Sequence, residues 1–68
     1  MKCTILHETR GRMRVHTMQG AMSLQQADIL EAYLNRVSGV TKATVYDRTG
    51  DAVICYDGPR ETVTKALS

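Results

Sequence analysis

The chain has 68 residues, 43% hydrophobic and 24% charged, with a single proline; this length holds one domain with one small core, and the composition excludes a disordered tail. A net charge of +2 and a sequence pI near 8.7 are too mild to indicate a nucleic-acid binder, which wants a pI above about 9 and a clustered basic face. Phe and Trp are absent and Tyr33, Tyr46 and Tyr56 remain, so the core is aliphatic, while two cysteines, Cys3 and Cys55, are too few for a disulfide framework and set a reducing cytosol as the default.

The first stretch, "MKCTILHETR", lacks the apolar run and small-residue cleavage site of an export signal, and no stretch approaches the roughly 18 apolar residues of a membrane helix. "CTILH" and "RMRVHT" read as extended segments with "TRG" as a bend or bulge between them. In the second, Met13 and Val15 alternate with Arg12, Arg14 and His16, the period of two of a half-buried strand. Ser23 and Gln26 then stand at the spacing of a capping box, which starts a helix over Ser23 to Ser38. Ala27, Leu30, Leu34 and Val37 form its apolar face, and Gly39 ends it. Alternation returns afterwards: Ala43 and Val45, a turn at Asp47 to Gly50, then Ala52, Ile54 and Tyr56 predict a hairpin. Pro59 opens a second helix reaching Leu67, with Val63, Ala66 and Leu67 as its stripe.

The order β-α-β-β-α, with a right-handed first crossover, predicts an α+β fold of the ferredoxin-like plan: an antiparallel sheet carrying two helices on one face. With the first strand central and antiparallel to "AVICY", Cys3 and Cys55 are expected to approach each other. By parity Cys55 faces away from the helices. Two readings stay open for the pair: a thiolate metal site completed by His7 or His16, or two unpaired thiols in strands. The histidines by themselves read as solvated on the sheet edge.

Arg10, Arg12 and Arg14 alternate along one side of the strand, either as an ordinary solvated face or as an electrostatic patch for an acidic partner or phosphate. RNA is not indicated, because the sheet lacks stacking aromatics. Asp28 and Glu31 lie one helical turn apart and read as solvating carboxylates. No nucleophile stands beside a base and no phosphate loop is present, so this domain is expected to have no catalytic activity.

Gly39-Val40, the Ala43-x-Val45 strand and Tyr56-Asp57 resemble the heavy-metal-associated domain, the small βαββαβ module of copper chaperones and of the N-termini of heavy-metal P-type ATPases. The resemblance covers Met13 to Ser68. His7 to His16, "HETRGRMRVH", is similar to the His-x-x-x-Gly-Arg-x-Arg segment that opens a divergent branch of this family, which also precedes P-type ATPase cores. Metal-carrying members hold a soft ion between two cysteines in a Met-x-Cys-x-x-Cys loop. The corresponding positions here hold Gly20 and Ser23. Met18 and Met22 offer only thioethers, which bind copper(I) weakly and more often fill a core.

The resemblance implies a cytosolic N-terminal regulatory or docking domain, residues 1–68 being a fragment of a longer cation-transporting ATPase. Its partners would be the cytosolic domains of that pump or another acidic protein, its membrane attachment would lie in the parent chain, and it would be monomeric. Copper(I), zinc or cadmium would bind weakly if at all. A free-standing small metal-binding or interaction domain is the alternative.

Overall fold

Met13, Val15 and Thr17 are buried while Arg12 and Arg14 between them are exposed, so the alternation in the sequence becomes a strand with one side in the core. The computed structural model describes residues 3–17 and 20–67. Its elements are β1 (Cys3–Thr9), β2 (Arg12–Thr17), α1 (Leu24–Asn35), β3 (Val40–Tyr46), β4 (Asp51–Tyr56) and α2 (Arg60–Leu67). The strands form one antiparallel sheet in the order β1-β2-β4-β3.

Registers define the two sides of the sheet. Met13 pairs with Ile54 and Val15 with Ala52, and β3 sets Ala43 and Val45 beside the same two residues. These residues meet Leu30 and Leu34 of α1 and Val63 and Leu67 of α2 in a single core. The fold is therefore α+β, with both helices on one face of an antiparallel sheet. Full burial of Leu34 contributes about 1.5–3 kcal/mol, as for any large aliphatic side chain removed from water.

Helix α1 begins as its sequence specifies. The Gln26 N–H donates to Ser23 Oγ at 3.1 Å, and the Ser23 N–H donates to Gln26 Oε1 at 3.0 Å. It ends at Asn35, three residues before the expected Ser38, and Val37 to Gly39 form a turn. Gly39 has φ +92°, the left-handed backbone that glycine adopts without a Cβ penalty. Pro59 precedes α2 and its carbonyl accepts the Thr62 N–H at 3.2 Å.

The N-terminal part departs from the expected single central strand. "CTILH" and "RMRVHT" are two separate strands of a hairpin. Of these two, β2 lies beside β4, and β1 occupies the edge, where the ferredoxin-like plan places its last strand. The bulge also falls elsewhere: the register shifts between Ile5 and His7, not at Thr9 to Gly11. Leu6 is the extra residue, so Cys3 and Ile5 face the helices and His7 faces away.

Both sheet edges are fastened to other parts of the molecule. On β3, Asn35 Nδ2 donates to the Ala43 carbonyl at 3.1 Å, the Ala43 N–H donates to Asn35 Oδ1 at 3.0 Å, and the Val45 N–H donates to Glu31 Oε1 at 2.8 Å. On β1, Glu8 receives both Arg60 Nε at 2.7 Å and Arg60 Nη2 at 3.1 Å, a two-point ion pair with α2. The Tyr56 hydroxyl donates to the same carboxylate at 3.3 Å.

Candidate anion-binding face

With the helices confined to one side, the other side of the sheet is open. The pairs His7 with Arg14 and Thr9 with Arg12 from β1 and β2, and Val53 opposite Arg14 on β4, lie on this side. His7, Thr9, Arg12, Arg14 and Val53 line a shallow depression of about 320 Å³. Val53 is only 9% exposed although no helix covers it; long side chains on the neighbouring strands exclude water from it.

Arg14 is held in place from two directions. Its Nη2 donates to Asp51 Oδ2 at 2.9 Å, and its guanidinium carbon sits 5.8 Å from the centroid of the Tyr46 ring, within cation–π range. Asp51 also meets His16, with Nδ1 and Oδ1 2.7 Å apart. These bonds, His16 first and Arg14 second, hold the Asp51 carboxyl below the usual carboxylate range. An ionised Asp51 can only accept, so His16 Nδ1 carries the proton and donates. Arg12 makes no side-chain hydrogen bond or ion pair among the described residues.

The residues singled out as metal ligands are not brought together. Cys3 pairs with Thr17 at one end of β2, and Cys55 pairs with Arg12 at the other, on a strand that does not touch β1. Six residues of β2 span about 17 Å at about 3.4 Å per residue. Two thiolates sharing a zinc ion lie within about 5 Å of each other. The expected approach of Cys3 and Cys55 is thus corrected: it assumed that Cys3 lies on the central strand.

Cys3 packs against the core on the helix side, where burial raises its thiol pKa. Cys55 lies on the open side between Arg12 and Lys42. His7 and His16 share that open side, but no group of three His, Cys, Asp or Glu comes together among the described residues.

At the loop before α1, Met22 is half-buried against the core and Ser23 Oγ is engaged in the helix cap; Met18 lies outside the described residues. The loop is docked on the β3–β4 turn, with the Thr17 N–H donating to the Gly50 carbonyl at 2.9 Å and the Met22 N–H to the Asp47 carbonyl at 2.8 Å.

Of the arginine patch, Arg12 and Arg14 line the depression, and Arg10 lies in the β1–β2 turn outside it. His7 and Thr9 join them because the Leu6 bulge brings His7 round to this side. Asp51, Tyr46 and Val53 escaped the sequence reading; the one signal for Asp51 was a carboxylate opening a strand in phase with Val53 and Cys55. Glu31, read as a solvating carboxylate, instead binds the β3 backbone. No described helix is long and apolar enough to cross a membrane. No family model, no curated protein and no solved structure matches the chain.

Proposed function

We propose that the domain is a docking module: a cytosolic accessory domain of a heavy-metal-type, cation-transporting P-type ATPase, engaging an acidic surface of the pump's cytosolic domains through the open side of its sheet. Two things support this reading. The sequence resembles the divergent branch of heavy-metal-associated domains, with glycine and serine where metal carriers have cysteines. The observation that carries it is the uncovered sheet face, where Arg12, Arg14 and Lys42 outnumber the one carboxylate found there among the described residues, Asp51, which is already bound to Arg14 and His16.

A charged face of this kind speeds encounter and selects partners by sign. Regulation would follow from occupancy: the docked domain restrains the pump's moving parts, and release frees them. In a second reading the same face serves a free-standing interaction domain without a pump, and the reading frame downstream of the gene separates the two.

The test is a titration of the labelled domain with the purified cytosolic domains of the parent pump, followed by amide chemical shifts. Shifts are expected at Arg12, Arg14 and Val53, should fade as salt rises, and should vanish in Arg12→Glu. Shifts confined to the outer surfaces of α1 and α2, or none at all, would overturn the proposal.

A further inference from the structure

Resting on the docking reading and taking it one step further, we infer that the depression formed by His7, Thr9, Arg12, Arg14 and Val53 receives a phosphorylated side chain of the partner protein, a phosphoserine or phosphothreonine. The registers His7 with Arg14 and Thr9 with Arg12 set four donor-bearing side chains in a two-by-two array. Cross-strand neighbours have Cβ atoms about 5 Å apart, and residues two apart along a strand are separated by about 7 Å. One oxyanion over the centre of such an array is within reach of Arg12, His7 and Thr9, while the Arg14 guanidinium, turned toward Asp51, adds its charge from the border.

The donor set favours a phosphate over a carboxylate. A carboxylate is planar and is satisfied by one guanidinium fork, whereas a phosphate monoester presents three strong acceptor oxygens in different directions and about −1.5 to −2 charge. Here the Arg12 guanidinium, the His7 imidazole and the Thr9 hydroxyl line one depression, and Arg14 borders it with its guanidinium drawn toward Asp51. Arg14 is held toward Asp51 and Tyr46 and contributes its positive charge at the border of the depression. Arg12, His7 and Thr9 make no side-chain hydrogen bonds among the described residues, so their donors are available.

Shape decides between a free ligand and a side chain delivered by a protein. Small-molecule sites bury about 70–90% of their ligand, but this depression lies on one side of an open sheet and cannot enclose one. A volume of about 320 Å³ exceeds what a phosphate alone fills. The space beside the buried Val53 suits the apolar side chain of a residue next to the phosphorylated one.

The experiment titrates the domain with the pentapeptide Ala-Leu-phosphoserine-Leu-Ala, with the same peptide carrying serine or glutamate at the centre, and with phenyl phosphate. Amide shifts are read at His7, Thr9, Arg12, Arg14 and Val53. The phosphopeptide is expected to saturate these shifts and the serine peptide to leave them unmoved. Glutamate should bind at least about tenfold more weakly, as should the phosphopeptide to Arg12→Gln, each through loss of charge-assisted hydrogen bonds. Arg10→Gln, outside the depression, should bind the phosphopeptide like the parent.

Equal binding of the glutamate peptide, or equal loss in Arg10→Gln, would reduce the site to diffuse attraction and overturn the inference. Phenyl phosphate binding as tightly as the phosphopeptide would overturn it in favour of a small-molecule site. Pump domains that bind equally well before and after phosphatase treatment would sink this inference and leave the docking reading intact. A phosphopeptide that saturates the site while pump domains of either state fail to bind would uphold the site and sink the pump.

Discussion

Gly50 ends the β3–β4 turn with φ +77° and lies so close to the backbone of Gly20 that a Cβ added there would overlap it. The obstacle is main chain, which cannot swing aside as a side-chain tip can, and Gly50 also accepts the Thr17 N–H. Gly50→Ala is therefore expected to lower stability by at least the roughly 1–2 kcal/mol of a left-handed alanine. Thermal or urea unfolding measures it, and a wild-type-like midpoint would show that the loop is not seated on the turn. At this scale the sequence was legible where one side chain acts on its own neighbourhood: Ser23 and Gln26 cap as their spacing says, and Cys55 emerges on the side its parity assigns. It was illegible where a role depends on a distant partner. Asp51 meets Arg14 and His16 across strands 35 residues and more away, and no local pattern encodes that distance.

Among the elements, α1 does more than cover the core. Its buried side carries Leu30 and Leu34 in their expected places, and its flank sends Asn35 and Glu31 to the backbone of β3. An unpaired strand edge invites pairing with another chain, and Asn35 answers both the donor and the acceptor of Ala43. Asn35→Ala leaves two part-buried backbone groups without partners, which costs about 1–3 kcal/mol for each unsatisfied group. The variant should unfold earlier and should self-associate through β3, which sedimentation velocity at rising concentration would reveal; a monomer of unchanged stability would refute the role given to Asn35. The bulge in β1 was the least legible feature of any element. "CTILHET" alternates too weakly to set a register, so whether Leu6 or a residue near Gly11 is the extra one is settled only by pairing with β2, and with it the sides of Cys3 and His7.

In the whole molecule, the ion pair of Glu8 with Arg60 fastens the edge strand to α2, and that of Asp51 with Arg14 and His16 stiffens the open side. Both carboxyl groups are held below their ordinary values of 4.5 and 3.8, Glu8 chiefly by its hydrogen bond from Arg60 and Asp51 chiefly by His16. In each case the unfolded chain takes up a proton at a higher pH than the folded one. The contribution is thus complete above the ordinary carboxylate values and is lost as pH falls through the depressed ones. Unfolding midpoints should therefore hold steady near neutrality and drop below about pH 4.5, less steeply in Glu8→Gln; equal slopes in the two proteins would remove Glu8 from the account. The plan of an antiparallel sheet under two helices was readable because the periods of two and 3.6 are local signals. The place of β1 was not, since both a bend within one strand and a hairpin of two fit "HETRGRM". That place has a consequence for folding. A circular permutation that began at Arg12 and carried Cys3 to Gly11 after α2 would restore the ferredoxin-like order of strands, but its edge strand would then close over most of the chain. As the protein is arranged, the same edge is added by a tight hairpin, so closing that loop costs little entropy and the edge contacts are local in sequence; the strand that a permuted chain would have to recruit last is here adjacent to its partner from the outset.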